Sequence, residues 1–479
     1  MGNTMKKILK RSLTILVSSL MLTSCTPPLW FIKDDTGSNN YKDRQQLVFT
    51  HLWQRGSTNY TEINNLIKKF NESDIAKELN VYVKGDGINF WDYWTKVDLS
   101  ISGGNAPDIF IHAVSSTPTR INQLLNLTAM HDDDVANGRD TLDENKMFFP
   151  SQINDISRYA PDGKSMHAWP FSSTVRVIYY NKDLFKEAGI TETPKTWAEL
   201  DAVSEKLTKY NTPGDVNSGY AQVGFDPFTS EGQYIHQWGW LANHSFFTED
   251  SNGRPVPHFN DSTLIENLNK VYSSYVRRDD KARENLQKFM SKEAANSKNP
   301  FLTQKLAMVI SNEGLYTTLK EANVDFEYGV FEIPPMDESC NYVNWSSSYS
   351  IELFDNSKRS NTSDKVAEQR NRGTWEFLKY MYQEEFQEMI ANAGFMLSNR
   401  TFYDKFIYND PIKNDLANAI ANTREAEFIK AVPNWTSDIQ TYVNSIYSYP
   451  NGKSVEEAMN NAQKLIISKI DQYYSVNGK

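Results

Sequence analysis

Cysteine is almost missing from this chain: its 479 residues include two, Cys25 and Cys340. Two thiols exclude a disulfide-stapled scaffold and a cysteine-based zinc cluster alike. Histidine is scarce as well, and the seven that occur show no metal-ligand spacing. No Gly-Xaa-Gly-Xaa-Xaa-Gly turn, Walker loop, His-Glu-Xaa-Xaa-His helix or Gly-Xaa-Ser-Xaa-Gly elbow occurs. Nothing reaches the run of about 18 apolar residues that a membrane span needs. Positive charge is in deficit, with 50 Lys plus Arg against 60 Asp plus Glu and a formal charge of −10. Such a chain is a poor surface for sequestering nucleic acid or anionic lipid. What remains is an ordinary globular composition, 39% hydrophobic and 23% charged, with 11 Trp and 25 Tyr among its aromatics. At ~100–200 residues per domain, two or three domains are expected.

Lys6, Lys7, Lys10 and Arg11 precede a short apolar run, Leu13–Leu22. It is too short to cross a hydrocarbon core of about 30 Å, and with its basic flank it reads as a secretory signal. The run ends in Leu22-Thr23-Ser24-Cys25, which resembles the bacterial lipobox. That resemblance implies cleavage before Cys25 and a diacylglycerol on its sulfur, enough acyl chain for durable anchoring. The expected layout is a signal peptide over 1–24 and a flexible tether over 25–45, marked by Pro27-Pro28 and Gly37-Ser38-Asn39-Asn40. Removing residues 1–24 takes away four positive charges and no negative ones, which leaves −14 and makes Cys340 a lone free thiol. The mature body is then expected outside the cytoplasmic membrane, held there by the lipid on Cys25.

From Gln46 onward strand and helix alternate. Leu47–Trp53 is a β-rich run, and Tyr60, Ile63, Ile67 and Phe70 follow at helical spacing. Val81–Val83 is a second strand, followed by an amphipathic stretch through Trp94, Val97 and Ile101; Asp108–His112 is a third strand. This order predicts a parallel sheet with right-handed crossovers, whose ligands sit outside the carboxyl ends of the strands. Residues just after Trp53 and His112 are therefore of special interest. Farther on, Asp183 and Gly189 bracket a short helix, and Thr196/Glu199 and Ser454/Glu457 open longer ones with capping boxes. An EF-hand-like spacing starts at Asp133, with Asn137, Gly138 and Glu144 in register, but Val135 breaks it and no metal is expected.

Several segments together resemble extracellular solute-binding protein family 1, the carbohydrate-binding lipoproteins of ABC importers. They are Gly103-Gly104-Asn105-Ala106-Pro107-Asp108-Ile109, Trp169-Pro170, Val177 to Phe185, and Ala188-Gly189-Ile190 through Pro194 to Leu200. Ala307–Ile310 with Gly314, Tyr328-Gly329-Val330 with Ile333-Pro334, and the helix from Ser454 follow in family order. Three departures bear on the ligand rather than the fold: Gln304-Lys305-Leu306 precedes Ala307 in place of Gly-Lys, Tyr316 stands for Trp, and Trp238-Gly239-Trp240 replaces Gly-Gly. The resemblance implies an α/β, two-lobe, type II periplasmic-binding-protein-like fold with discontinuous lobes and a ligand cleft at a hinge. Lobe one is expected over 46–173 and 327–383, and lobe two over 174–326 and 384–479.

On that register the candidate ligand contacts are Trp53 and Arg55 after the first strand, and His112 and Ser115 after the third. Thr174 and Arg176 lie beyond the first crossing, Asp226 and Phe228 surround Pro227, and Tyr316 follows Gly314. Trp240, Trp345 and Trp435 join them on chemistry: pyranose C–H faces lie on aromatic rings, and sugar hydroxyls seek Asp, Asn, Arg and Tyr. Phe228 and Tyr316 are expected to be stacking platforms that contribute little to the core. The expected function is capture of a saccharide and its delivery to a permease by a monomeric receptor with no cofactor, no catalysis and no nucleic-acid partner. Rival readings are a receptor for another small polar solute, such as a polyol phosphate or peptide, and a surface glycan-degrading enzyme using two of the many carboxylates.

Overall fold

The structure, a computed structural model, describes residues 41–477 apart from 277–279, 297–298, 447 and 449–451. The signal segment, Cys25 and most of the expected tether lie outside the described residues. No helix among those described is long and apolar enough to cross a membrane.

Two sheets organise the chain. In the first, β1 (Gln45–His51) lies between β2 (Val81–Gly87) and β3 (Ile109–Ala113), all parallel. The crossover helix Thr58–Glu72 buries Tyr60, Ile63, Leu66, Ile67 and Phe70, and Ser57 caps it by accepting the Tyr60 N–H at 3.1 Å. β4 (Ala168–Ser173) completes the N-terminal half of this sheet. The second sheet contains β5 (Val177–Asn181), β6 (Lys209–Tyr210) and β7 (Tyr220–Phe225). A small hairpin, β8 (Phe247–Glu249) with β9 (Pro255–Pro257), precedes β10 (Leu306–Ser311) and β11 (Tyr328–Glu332), which return to that second sheet. After β12 (Asn344–Trp345), β13 (Tyr349–Leu353) enters the first sheet between β3 and β4, and β14 (Met396–Leu397) joins its edge. β15 (Thr423–Arg424) then pairs with β12 beside the crossings. The strand orders are β14-β4-β13-β3-β1-β2 and β11-β5-β10-β7-β6.

These pairings move the expected lobe boundaries. Tyr328–Glu332 was expected to start the return to lobe one, but it lies antiparallel to β5 over the register Tyr328–Asn181 to Glu332–Val177. The return comes at Tyr349. Lobe one also keeps the chain beyond Gln383, because Met396 and Leu397 pair with Ser173 and Ser172. An apolar run marks a strand, yet its partner is chosen by packing far away in sequence.

Local chemistry accounts for the elements. Thr196 accepts the Glu199 N–H, and Ser454 that of Glu457, as the capping pattern predicts. The short helix Lys182–Glu187 is capped two residues earlier than expected: Asn181 accepts the Leu184 N–H at 2.9 Å, and Asp183 accepts from Glu327 N. Gly189 closes it at φ 64°. The EF-hand spacing is absorbed by helix Leu127–Ala136, where Asp133 pairs with Arg139 and buried Asp134 with Arg372 and Lys379.

Candidate functional site

Because β1, β2 and β3 are parallel, their carboxyl ends share one rim of the first lobe. Gly87 ends β2 there; a Cβ on it would lie 2.3 Å from the Trp53 carbonyl, so only glycine lets the segment after β1 pass this closely. Two residues later Asn89 caps helix Phe90–Ser102 by accepting the Asp92 N–H at 3.1 Å. The helix is pinned from below. Tyr93 is fully buried, its hydroxyl 2.9 Å from the Thr50 carbonyl and 2.8 Å from that of Ile111. The next residue, Trp94, therefore has a fixed position: it stacks on Tyr349 (5.1 Å, 24°) and stands edge-on to His112 (5.6 Å, 77°). His112 Nε2 lies 3.1 Å from Asp98, whose carboxyl is held below its usual range by this hydrogen bond.

The opposing wall comes from the second sheet and the crossings. Arg176 is buried, with its guanidinium 3.7 Å above the Trp345 ring and 3.0 Å from Glu231 Oε2. Tyr234 and His236 meet the same Trp345 ring at 4.4 and 4.5 Å. Thr174 donates to Glu313 Oε1 at 3.2 Å, and Glu313 Oε2 is buried with no hydrogen-bond partner among the described residues. Burial pushes the Glu313 carboxyl up to about 7. Tyr349 is where the two walls meet. Its hydroxyl is pushed up to about 12, first by burial and then by the charge of Glu313 in the other lobe.

The crossings are tied together by acids and serines. Thr174 N–H donates to Ser348 Oγ (3.2 Å), Ser348 N–H to Glu425 Oε1 (2.7 Å), and Glu425 N–H to Asp155 Oδ2 (3.1 Å). Glu425 is 2% exposed. Burial, then the nearby Asp155, pushes its carboxyl up to about 8; burial raises Asp155 itself to about 6.

The expected site residues divide accordingly. His112, Thr174, Arg176 and Trp345 come together in these walls, and Ser115 lies exposed in the turn after β3. Arg55 is exposed beyond β1. Trp53 is packed edge-on to Phe171 and Phe395, and Trp435 is enclosed by Phe246, Phe247 and Phe259. Trp240 is 2% exposed beneath the Arg424 guanidinium. Of the platforms expected at Phe228 and Tyr316, Phe228 is half-buried against both apolar cores, and Tyr316 is buried with its hydroxyl on Asp410, so the expectation that these rings contribute little to the core does not hold for Tyr316. Asp226 is buried too, turning the chain by accepting the Phe228 N–H at 3.0 Å, and burial raises its carboxyl to about 6. Trp94, Tyr349, Glu231, Tyr234 and Glu313 were missed. The legible signal was Asn89, a capping residue right after a strand, which fixes Phe90–Trp94 at the carboxyl rim. Among the described residues no cluster of three metal-binding side chains occurs.

Two α/β lobes, threaded by several crossings with a polar and aromatic junction between them, define a hinged solute-binding architecture. The chain belongs to the bacterial extracellular solute-binding protein family, whose model matches residues 56–388. Among curated relatives, a putative binding protein of Brucella abortus is 26% identical over 301 residues, 62% of this chain and 66% of that protein. The sn-glycerol-3-phosphate-binding periplasmic protein UgpB of Shigella flexneri is 28% identical over 204 residues, 38% of this chain and 39% of UgpB. This chain thus spans less than two thirds of the length of those relatives. A solved structure, CpMnBP1 with mannotriose bound, superposes with a TM-score of 0.64 at 21% identity, covering 88% of this chain and 100% of CpMnBP1. At that identity the likeness establishes the fold.

Proposed function

We propose that the protein is the lipid-anchored receptor of an ABC importer, capturing an oligosaccharide by hinge closure and releasing it to the permease's transmembrane subunits. The observation that carries this reading is the make-up of the two walls: Trp94 stacked on Tyr349 with His112 and Asp98 in one, and Trp345 with Arg176, Tyr234 and Glu231 in the other. Flat apolar rings interleaved with hydrogen-bonding groups suit a neutral polyol, which has both kinds of surface. Mannotriose in CpMnBP1 supports the same class. The bound solute would hold the lobes closed as a hinge, and Cys25 would supply the anchor. Binding and not turnover is the activity.

UgpB favours a second reading, a phosphorylated polyol. Against it, the guanidinium of Arg176 is already occupied by Glu231 and Trp345, and that of Arg120, 3.9 Å from Asp98, by Glu352. A thermal-shift screen of residues 41–479 decides between them. A ligand that binds only the native state raises the melting temperature by mass action. Manno- or malto-oligosaccharides should raise it, and sn-glycerol 3-phosphate should not. The reverse result would replace the saccharide with the phosphate.

A further inference from the structure

The same wall continues outward from Trp94, and this inference rests on the saccharide reading above. We propose that Phe90 and Trp91 form an outer subsite that carries the distal units of an extended saccharide, so that the receptor prefers oligosaccharides to mono- and disaccharides.

Trp91 is 86% exposed, the highest value among the large exposed hydrophobic side chains described. Its position is held by a rigid element. Asn89 caps the helix in front of it, and Tyr93, fixed to the backbone of β1 and β3, anchors the same turn from behind. Phe90 meets Trp91 edge-on at 5.5 Å (89°) and Trp94 at 5.6 Å (87°). The rings therefore run without a break from solvent to the junction: Trp91, Phe90, Trp94, Tyr349. Polar groups accompany them, since Asp92 and Lys96 lie exposed on the same helix and are paired at 3.2 Å.

Each pyranose of a linear chain repeats the same combination of apolar face and hydroxyl edge. A chain seated on Trp94 has its next apolar face to place on the outer rings, at no cost in reorganising the protein. A monosaccharide seated on Trp94 is separated from Trp91 by the intervening Phe90 ring. Trp91 then adds affinity only above a threshold length, and that length dependence separates a subsite from a ring that merely stabilises the helix. The nearest alternative, a contact with the permease, would leave solute affinity unchanged.

Calorimetry of the body with linear manno- and malto-oligosaccharides, from monosaccharide to hexasaccharide, tests this on wild type, Trp91→Ala and Trp91→Phe. The expected result is unchanged affinity for the shortest binders and about a tenfold loss on the longest in Trp91→Ala, largely restored by Trp91→Phe. Ligand-free melting should stay level because the ring is exposed. An equal loss at every length, or no loss at any, overturns the subsite. So does slower uptake with unaltered binding, which would assign Trp91 to the permease contact. If no saccharide binds wild type, the underlying reading fails instead.

Discussion

Buried carboxylates occur in two regions of this molecule and are treated oppositely. In lobe one, Asp108 accepts the Val48 N–H and the Arg370 guanidinium, with Arg359 nearby, while Asp134 is held by Arg372, Lys379 and Trp375. Burial alone would raise Asp134, yet the hydrogen bonds from Arg372 and Lys379 hold it well below the usual carboxylate range. At the crossings, Glu425 and Glu313 make no ion pair within the described residues, and both are pushed up toward neutrality by burial. Asp155 has Arg158 at 3.3 Å and still lies high. In lobe one cations thus compensate the fully buried carboxylates, whereas at the crossings Glu425 and Glu313, raised by burial, take hydrogen bonds from the Ser348 N–H and the Thr174 hydroxyl, which are easier to exchange than a buried ion pair.

The largest expected effect comes from breaking the scaffold. Asp108→Ala removes a fully buried carboxylate, leaves the largely enclosed Arg370 without its counter-charge, and should cost ~3 kcal/mol of stability in denaturant unfolding. A loss of less than about 1 kcal/mol would place Asp108 among ordinary surface pairs. Phe228→Ala comes next, because the half-buried ring packs against both apolar cores: about 2 kcal/mol of stability should go. Calorimetry on the same variant should find solute affinity intact, contrary to the stacking role its sequence position implied.

The two regions should also respond to pH with opposite signs. Asp134 has a depressed folded value, so its stabilisation is present above the ordinary carboxylate value and is lost as pH falls. Glu425 is the reverse: its contribution is complete below 4.5 and drains away as pH rises to about 8. Glu425→Gln keeps the shape and removes the titration. Its melting temperature should exceed that of wild type above about pH 8 and approach it near pH ~5. Parallel melting profiles would end the distinction between the regions. The smallest effect is expected from Ser348→Ala, which deprives Thr174 N–H of its acceptor at the crossing. It should cost about 1–2 kcal/mol, measured by thermal unfolding.

Much of lobe one could be read from the chain because its signals are local. The strand runs Leu47–Trp53 and Val81–Val83, the helical period from Tyr60 to Phe70 and the entry at Asp108 each declare themselves within a few residues. Strand partnership does not, as Tyr328–Glu332 demonstrates: the same apolar run suits the edge of either sheet. The site was half legible. His112, Thr174 and Arg176 could be proposed by register, since they lie at a strand end or just past a crossing, and Trp345 only by its chemistry. Tyr316 misled because position after a glycine does not reveal whether a ring points outward. Trp94 was hidden in plain periodicity, counted with Val97 and Ile101 as part of an apolar stripe, although it is only half-buried where Val97, three residues on along the same face, is fully buried. Burial, which decides between platform and core, is a property of the assembled lobes.

The central place of β13 in the first sheet governs how the molecule can be made. Strands β3 and β4 never touch each other; both hydrogen-bond to residues 349–353, which leave the ribosome only after the strands of the other lobe. Until then the emerging N-terminal region carries two unpaired strand edges, a template for wrong partners. A fragment cut before residue 349 should aggregate rather than fold. For a chain bound for export, that late closure keeps the first lobe open while it is still being synthesised.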